Sequence, residues 1–364
     1  MVLHIPQRRQ LTRTATCRQT LRRKKDQGDN LGNGLQLVTP IEVDKDRWHP
    51  YFRLLLETPG REPARRVIWE IANWMFPQDK HFVREFQLSQ FDQRIWEIYL
   101  WAAFREMKYD ILQNEAPDFE CLSPMIGIDF TVEATTVAPS VQGVLAEHPN
   151  PKTSEEYEGF LKAYMPMKFG SALTSKLNKR NAQGLAYWQH EHSKEKPFIL
   201  AIADFHKGAV DNDHPFGSMT YTQGGLYIYL YGAKINWEFV DGKLIVLLAK
   251  IDELTYKSKS IPPGFFELPE SENVSGVLFS NAGTIAKFDR MGVIAGLGAS
   301  HHKYYRTGFK FDPDPNALVG IPSSVDVEDK IYEEKWCDEL QFFHNPKAKY
   351  PMPPENGLIN NLRC

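Results

Sequence analysis

Cysteine is scarce in this chain. Four of its 364 residues are Cys, at positions 17, 121, 337 and 364, and no two stand in a CxxC spacing. Neither a zinc ribbon nor a disulfide framework can be read from them, and a reducing, cytoplasmic setting is the expectation. Long apolar runs are missing too. The longest, such as Leu244 to Ala249, fall far short of the ~20 residues a membrane helix needs, so no membrane partner is expected. Nor is there an excess of positive charge. With 43 Lys and Arg against 46 Asp and Glu, the net charge is -3. The whole molecule is therefore not a basic body that coats nucleic acid, and any polyanion site must be local. No segment repeats at a period of 20 to 50 residues, which excludes a solenoid.

What is present divides the sequence into four parts. Residues 1–34 form a basic arm, since the first 25 hold eight Arg or Lys and no Asp or Glu. The arm has no apolar core of secretory type and reads as a solvated, flexible tail. Residues 35–82 are short helices broken by Pro59, Pro63 and Pro77. Residues 83–206 hold the strongest pattern. FDQRIWEIYLWAAFREM, Phe91 to Met107, contains no Gly or Pro and predicts a long helix, with Ser89 as a candidate cap. Three extended segments follow, Tyr109 to Gln113, Pro117 to Leu122 and Gly127 to Val137, and read as an antiparallel meander. A Pro-rich loop, a second long helix over Ser171 to His192 and a strand over Pro197 to Asp204 complete this part. Residues 207–364 are a mixed α/β addition, with strands predicted at Leu226 to Gly232, Leu244 to Ala249 and Gly276 to Phe279. The fold class is α/β.

Two features in the third part carry chemistry. Between Ile95 and Phe104 every residue is apolar or aromatic except Glu97, so a helix buried nearly all round takes one carboxylate with it. An unpaired buried charge costs several kcal/mol, so Glu97 must meet a cation, a metal or hydrogen-bond donors. In IDFTVEATTV, Ile128, Phe130, Val132 and Ala134 fall on one face, and Asp129, Thr131, Glu133 and Thr135 on the other. A turn centred between Met125 and Ile126 then sets Asp118 directly opposite Glu133. Two carboxylates side by side repel unless a cation or a proton lies between them.

Other motifs are weaker. His190 and His192 are two residues apart and would point to opposite sides of a helix, so they cannot chelate one zinc. His301-His302 and His344 lack a partner at ligand spacing. SNAGT, Ser280 to Thr284, reads as a helix cap rather than a phosphate loop, because it has no GK[ST] ending.

Pro117-Asp118, a gap of about fifteen residues and Glu133-Ala134-Thr135 at a strand end resemble the signature of the PD-(D/E)XK nuclease superfamily. The order helix, three-stranded meander, helix, strand agrees with that superfamily's restriction-endonuclease-like core. The resemblance covers Phe91 to Asp204 and implies a nuclease that hydrolyses phosphodiester bonds in nucleic acid, DNA ahead of RNA. It implies Mg²⁺, with Mn²⁺ as a substitute, held by Asp118, Glu133 and the Ala134 carbonyl, with Glu97 in support. A homodimer is compatible with it. The sequence departs at one point, because Thr135 stands where the motif lysine belongs. A hydroxyl can orient water but supplies no positive charge. Some members carry that lysine on the second helix, where Lys176, Lys179, Gln183 and Tyr187 share a face here. The Gln183 and Tyr187 pair is similar to the RecB-type branch. Lys176 or Lys179 is thus the expected replacement, and the alternative is an inactive nuclease-fold protein that binds nucleic acid or a protein partner.

Overall fold

A computed structural model describes residues 33–75, 80–124, 127–137, 153–205, 222–241, 243–298, 301–310 and 321–353. Most of the basic arm, the Pro-rich loop and the Met125–Ile126 turn centre lie outside the described residues. Four helices come first, α1 (Asn33–Val38), α2 (Pro50–Glu57), α3 (Glu62–Trp74) and α4 (Lys80–Arg84). His49 caps α2 by accepting the Tyr51 N–H at 3.3 Å, with Pro50 in the first turn where no N–H is needed. The long helix α5 (Phe91–Glu106) buries Ile95, Trp96, Ile98, Tyr99 and Leu100 on successive faces. Ser89 does not cap it. A π-helical turn, Glu85–Ser89, runs into α5, and Gln90 takes the cap position without a side-chain bond.

The sheet begins after α5. Strands β1 (Asp110–Gln113), β2 (Phe119–Leu122) and β3 (Phe130–Val137) form the antiparallel meander. The chain then crosses one face through α6 (Ser154–Gly159) and α7 (Met165–Asn178) to β4 (Phe198–Asp204), which pairs parallel to β3. Beyond it lie α8 (Gln223–Tyr231) and the hairpin β5 (Ala233–Val240) and β6 (Lys243–Lys250). There follow β7 (Leu254–Tyr256), β8 (Lys259–Ile261), β9 (Gly276–Ser280), α9 (Ile285–Ile294), β10 (Tyr305–Lys310), β11 (Ile321–Asp326) and β12 (Gln341–His344). The main sheet has the mixed order β1-β2-β3-β4-β9-β12.

Period-two alternation sorts each strand between two cores. Phe130, Val132 and Ala134 of β3, with Ile199, Ala201 and Ala203 of β4, pack into the core shared with α3 and α5. Val137, Leu200 and Ile202 turn the other way, toward α7 and α8. The protein is thus α/β, a mixed sheet between helical layers, and β4 is apolar on both faces because both are covered.

Two further expectations need correction. The second long helix stops at Asn178 rather than His192. Asn181 Oδ1 accepts the N–H groups of Gln183 and Leu185 at 2.9 Å each, and Gly184 has φ +78, so the chain turns instead of continuing. The segment Leu226 to Gly232 is helical, not extended. Its β-branched and aromatic residues are overruled by burial against the π-helical turn Phe160–Tyr164 and the start of α7, where a side chain on Gly225 would stand 2.7 Å from the Leu161 carbonyl oxygen, and Gly232 ends the helix at φ +60. Strands β9 and β12, from beyond residue 206, extend the sheet past β4.

The C-terminal segment is tied back to α9 by buried charge. Thr284 caps α9, accepting the Lys287 N–H at 3.4 Å, as the cap reading of SNAGT expects. Lys287 is fully buried and donates to Glu334 and Glu339 at 2.7 Å each and to the Lys335 carbonyl at 2.6 Å. Arg290 grips Glu334 with two bonds of 2.8 Å. Burial alone would push the Glu334 carboxyl up, but Arg290, Lys287 and Tyr332 pull it down to about 2. Its contribution to stability is therefore complete above its ordinary value of 4.5 and is lost as pH falls toward 2. Lys287→Ala removes the buried cation that Glu334 and Glu339 share, leaving Glu334 to Arg290 and Glu339 to Arg306, and should cost ~1.5–3 kcal/mol in urea denaturation at pH 7. A loss below ~1 kcal/mol would show that the cluster does not anchor the C-terminal segment.

Candidate active site

The site is built where β2 and β3 part. Their ladder pairs Phe119 with Val132, Glu120 with Thr131 and Cys121 with Phe130. One step further, Asp118 stands opposite Glu133, the juxtaposition that the hairpin arithmetic predicts. The ladder ends there because a side chain takes over from the backbone, and the Ala134 N–H donates to Asp118 Oδ2 at 2.7 Å. Asp118 is thereby pinned to the residue after Glu133.

Glu133 lies on the α7 face of β3 and is buried. Its Oε1 accepts from Lys176 Nζ at 2.5 Å, and Lys176 comes from the last turn of α7. The ring of Tyr187 backs both lysines, 5.9 Å from Lys176 Nζ and 5.7 Å from Lys179 Nζ. The Tyr187 hydroxyl is buried beside the carboxylates and faces Glu133. Burial first, and then the Glu133 charge, push its pKa up, so it remains a neutral donor.

Glu97 enters from α5. Arg94 Nη1 holds both its oxygens, at 2.9 and 2.7 Å, and Gln93 Nε2 donates to Glu97 Oε1 at 2.8 Å and, more weakly, to the Ala134 carbonyl at 3.4 Å. Arg94 also bonds Glu85, through Nε at 2.9 Å and through Nη2. The cation that a buried Glu97 demands is thus Arg94, one turn earlier on the same helix. Burial raises the Glu97 carboxyl, and Arg94 works against that rise. Asp118 is held well above the usual carboxylate range by burial, then by the charges of Glu133 and Glu97, with the Ala134 N–H and Lys176 opposing.

Glu97, Asp118, Glu133, Ala134 and Lys176 therefore converge. Lys179 is exposed at the end of α7, and Gln183 is exposed in the turn beyond it. Gln183 leaves the expected helical face because the helix that would have carried it has ended. Tyr187 still reaches the site, from a 3-10 turn rather than the helix. Sequence reasoning missed Gln93, whose signal was its position four residues before Glu97. His190 and His192 have ring centroids 5.8 Å apart and join no cluster.

The donors on offer are hard oxygens, two carboxylates and one peptide carbonyl. They suit Mg²⁺ or Mn²⁺, ions that keep several of their own waters, and they do not suit zinc. Among the described residues no three His, Cys, Asp or Glu side chains gather closely enough to hold a metal by themselves. Side chains alone would therefore not suffice. The Ala134 carbonyl and solvent would have to complete the shell. No helix among the described residues is long and apolar enough to cross a membrane.

No family model, no curated protein and no solved structure matches this chain.

The raised Asp118 carboxyl has a consequence for stability. Between its unfolded value near 3.8 and its higher folded value, the native state binds more protons than the unfolded state, so stability falls as pH rises through that window. Asp118→Asn keeps an acceptor for the Ala134 N–H and removes the repulsion. Its melting temperature at pH 7 should exceed that of the parent, and the gain should vanish toward pH 4, both read by calorimetry. A lower melting temperature at pH 7 would mean that the two carboxylates do not repel.

Proposed function

We propose that the chain is a metal-dependent nuclease that hydrolyses phosphodiester bonds in DNA or RNA, a divergent PD-(D/E)XK enzyme with a restriction-endonuclease-like core. The observation that carries this reading is the delivery of Lys176 to Glu133, opposite Asp118. The departure at Thr135 leaves the motif without its cation, and α7 supplies one from across the same sheet face. A structural ion pair alone would not account for the acid facing it, because Asp118 is repelled by Glu133 rather than stabilised by it.

In this reading Asp118, Glu133 and the Ala134 carbonyl hold Mg²⁺, which when bound neutralises phosphate charge and makes water more acidic. Gln93 and Arg94 fix Glu97 and steady the Ala134 carbonyl, so the oxygen donors do not have to be ordered at the moment of reaction. Lys176, held at Glu133, would supply the positive charge for the attacking water and a non-bridging phosphate oxygen. The Tyr187 hydroxyl, neutral beside Glu133, would be a donor for the same oxygen. A water oxygen bonds to phosphorus, the opposite P–O bond breaks, and the leaving oxygen takes up a proton.

Incubation with single- and double-stranded DNA and RNA, with Mg²⁺, Mn²⁺ and EDTA arms, tests the activity. Cleavage in the metal arms alone is the expected result. Cleavage in none, with metal-independent binding, would replace this reading by that of an inactive nuclease-fold protein. Glu133→Gln, which retains an acceptor for Lys176, should abolish cleavage without a comparable drop in melting temperature. Lys176→Ala should lower the single-turnover rate on the order of 10²-fold or more. Lys179→Ala, exposed and off the carboxylates, should weaken affinity modestly and flatten the salt dependence by about one unit of slope. Equal rates for the Lys176→Ala variant and the parent would overturn the role given to α7.

A further inference from the structure

Glu85 is a buried carboxylate that the proposed mechanism does not use. It opens the π-helical turn Glu85–Ser89, in which the Gln90 N–H reaches back five residues to the Glu85 carbonyl at 2.7 Å. The turn is held from both sides. Phe86 is fully buried in the core, and Gln87 accepts the Ile41 N–H at 2.9 Å while donating to the Gln36, Leu37 and Thr39 carbonyls. Fixed in this way, the Glu85 carboxylate draws in three side chains. Its Oε1 accepts from Gln90 Nε2 at 2.9 Å and lies 3.2 Å from His81 Nε2, and its Oε2 accepts from both Nε and Nη2 of Arg94. The Phe82 ring lies against the guanidinium, its centroid 4.8 Å from Cζ.

We infer that Glu85 is a positioning residue for the candidate metal site: it sets how Arg94 holds Glu97, and through Glu97 the oxygen donors beside it. The inference rests on the nuclease reading and extends it by one layer of side chains. A guanidinium offers its N–H groups as a rigid fork, and a carboxylate is gripped hardest when two of its nitrogens meet it. Glu85 occupies Nε and Nη2, so Glu97 receives only Nη1. Glu97 is therefore compensated in charge without being enclosed, and its Oε1 still takes the Gln93 Nε2 bond at 2.8 Å. That bond matters because the same Gln93 amide touches the Ala134 carbonyl at 3.4 Å, one of the oxygens assigned to Mg²⁺. Removing Glu85 leaves Glu97, three residues along the same helix, as the carboxylate that Arg94 bonds. Arg94 then turns a second nitrogen onto Glu97 and draws it from Gln93, which frees the amide to swing away from Ala134. The Mg²⁺ donors lose their fixed placement although none of them has been altered.

Calorimetric Mg²⁺ titration of the full chain, alongside the Mg²⁺ concentration for half-maximal cleavage, tests it. Outer-shell substitutions typically weaken a metal site roughly 10- to 100-fold, so Glu85→Ala should raise both values about 10-fold. Glu85→Asp, one methylene too short for Arg94, should move them the same way, and it carries the test if Glu85→Ala does not fold. Glu85→Gln keeps an acceptor for Arg94 and should stay close to the parent. In an Arg94→Lys background, which has no second nitrogen to redirect, Glu85→Ala should change neither value further. Variants that lower the melting temperature and leave the Mg²⁺ demand of the folded protein unchanged would show Glu85 to be merely structural and overturn the inference. So would a Glu85→Gln variant as weak as Glu85→Ala, or an undiminished Glu85→Ala effect in the Arg94→Lys background. A parent that neither takes up Mg²⁺ nor cleaves overturns the nuclease reading and this inference with it, whereas a cleaving parent with unmoved Glu85 variants overturns the inference alone.

Discussion

A carboxylate placed on a strand with both faces covered is the constraint on which this architecture turns. Glu133 sits in β3 between the two cores, and water cannot compensate its charge there. An opposite charge has to be brought to it, and the backbone supplies the route. Because β3 and β4 are parallel, the chain must cross the sheet between them, and α7 is laid across the face on which Glu133 lies. Lys176 in its last turn then arrives at 2.5 Å. Had α7 run on to His192, that face would have been filled by further helical turns. The turn at Asn181 instead folds the chain back, so that Tyr187 closes the pocket behind both lysines.

Two carboxylates are treated differently within a few residues of each other. Glu133 receives a lysine. Asp118 receives a peptide N–H, which is a weaker compensation, and it also sees the charges of Glu133 and Glu97. Its carboxyl is accordingly held high. An arrangement that only had to be stable would have an amide or an apolar residue at 118. Repulsion is thus retained at Asp118, beside a Tyr187 hydroxyl that burial and then the Glu133 charge keep neutral.

How much of this was legible in the sequence depended on whether the signal was local. The β2–β3 pairing was readable because the alternation in IDFTVEATTV fixes which residues share a face, and the turn centre then fixes the partner by arithmetic. α5 was readable because seventeen residues without Gly or Pro admit little else. The end of α7 was not, since the Asn181 turn rests on one side chain bonding two N–H groups, and NAQG carries no apolar period to break. The helical state of Gln223–Tyr231 was hidden for the opposite reason. LYIYLY has β-propensity, and only the close approach of Gly225 to Leu161 decides for helix. Arg94 was readable as a partner for Glu97 at i−3, but Gln93 bridging α5 to the Ala134 carbonyl required the packing of helix on sheet.

The position of the lysine can be argued further. Thr135 and Glu133 are two residues apart on one strand and share a face, and α7 packs on that face. A side chain from 135 and a side chain from the end of α7 thus share one side of the sheet. In the nuclease reading proposed above, what is required there is a positive charge near the carboxylates, which constrains the location of an ammonium and not the backbone from which it comes. A strand lysine would stand beside Glu133 at a fixed two-residue offset. A helix lysine on a four-carbon stem can instead meet Glu133 end to end, as Lys176 does, and can move to an incoming phosphate without any change in the strand. Thr135 is buried, and a lysine at that position would compete with Lys176 for Glu133 and leave one ammonium without a partner. The small hydroxyl at 135 and the lysine at 176 are therefore two halves of one solution, and neither is readable without the other.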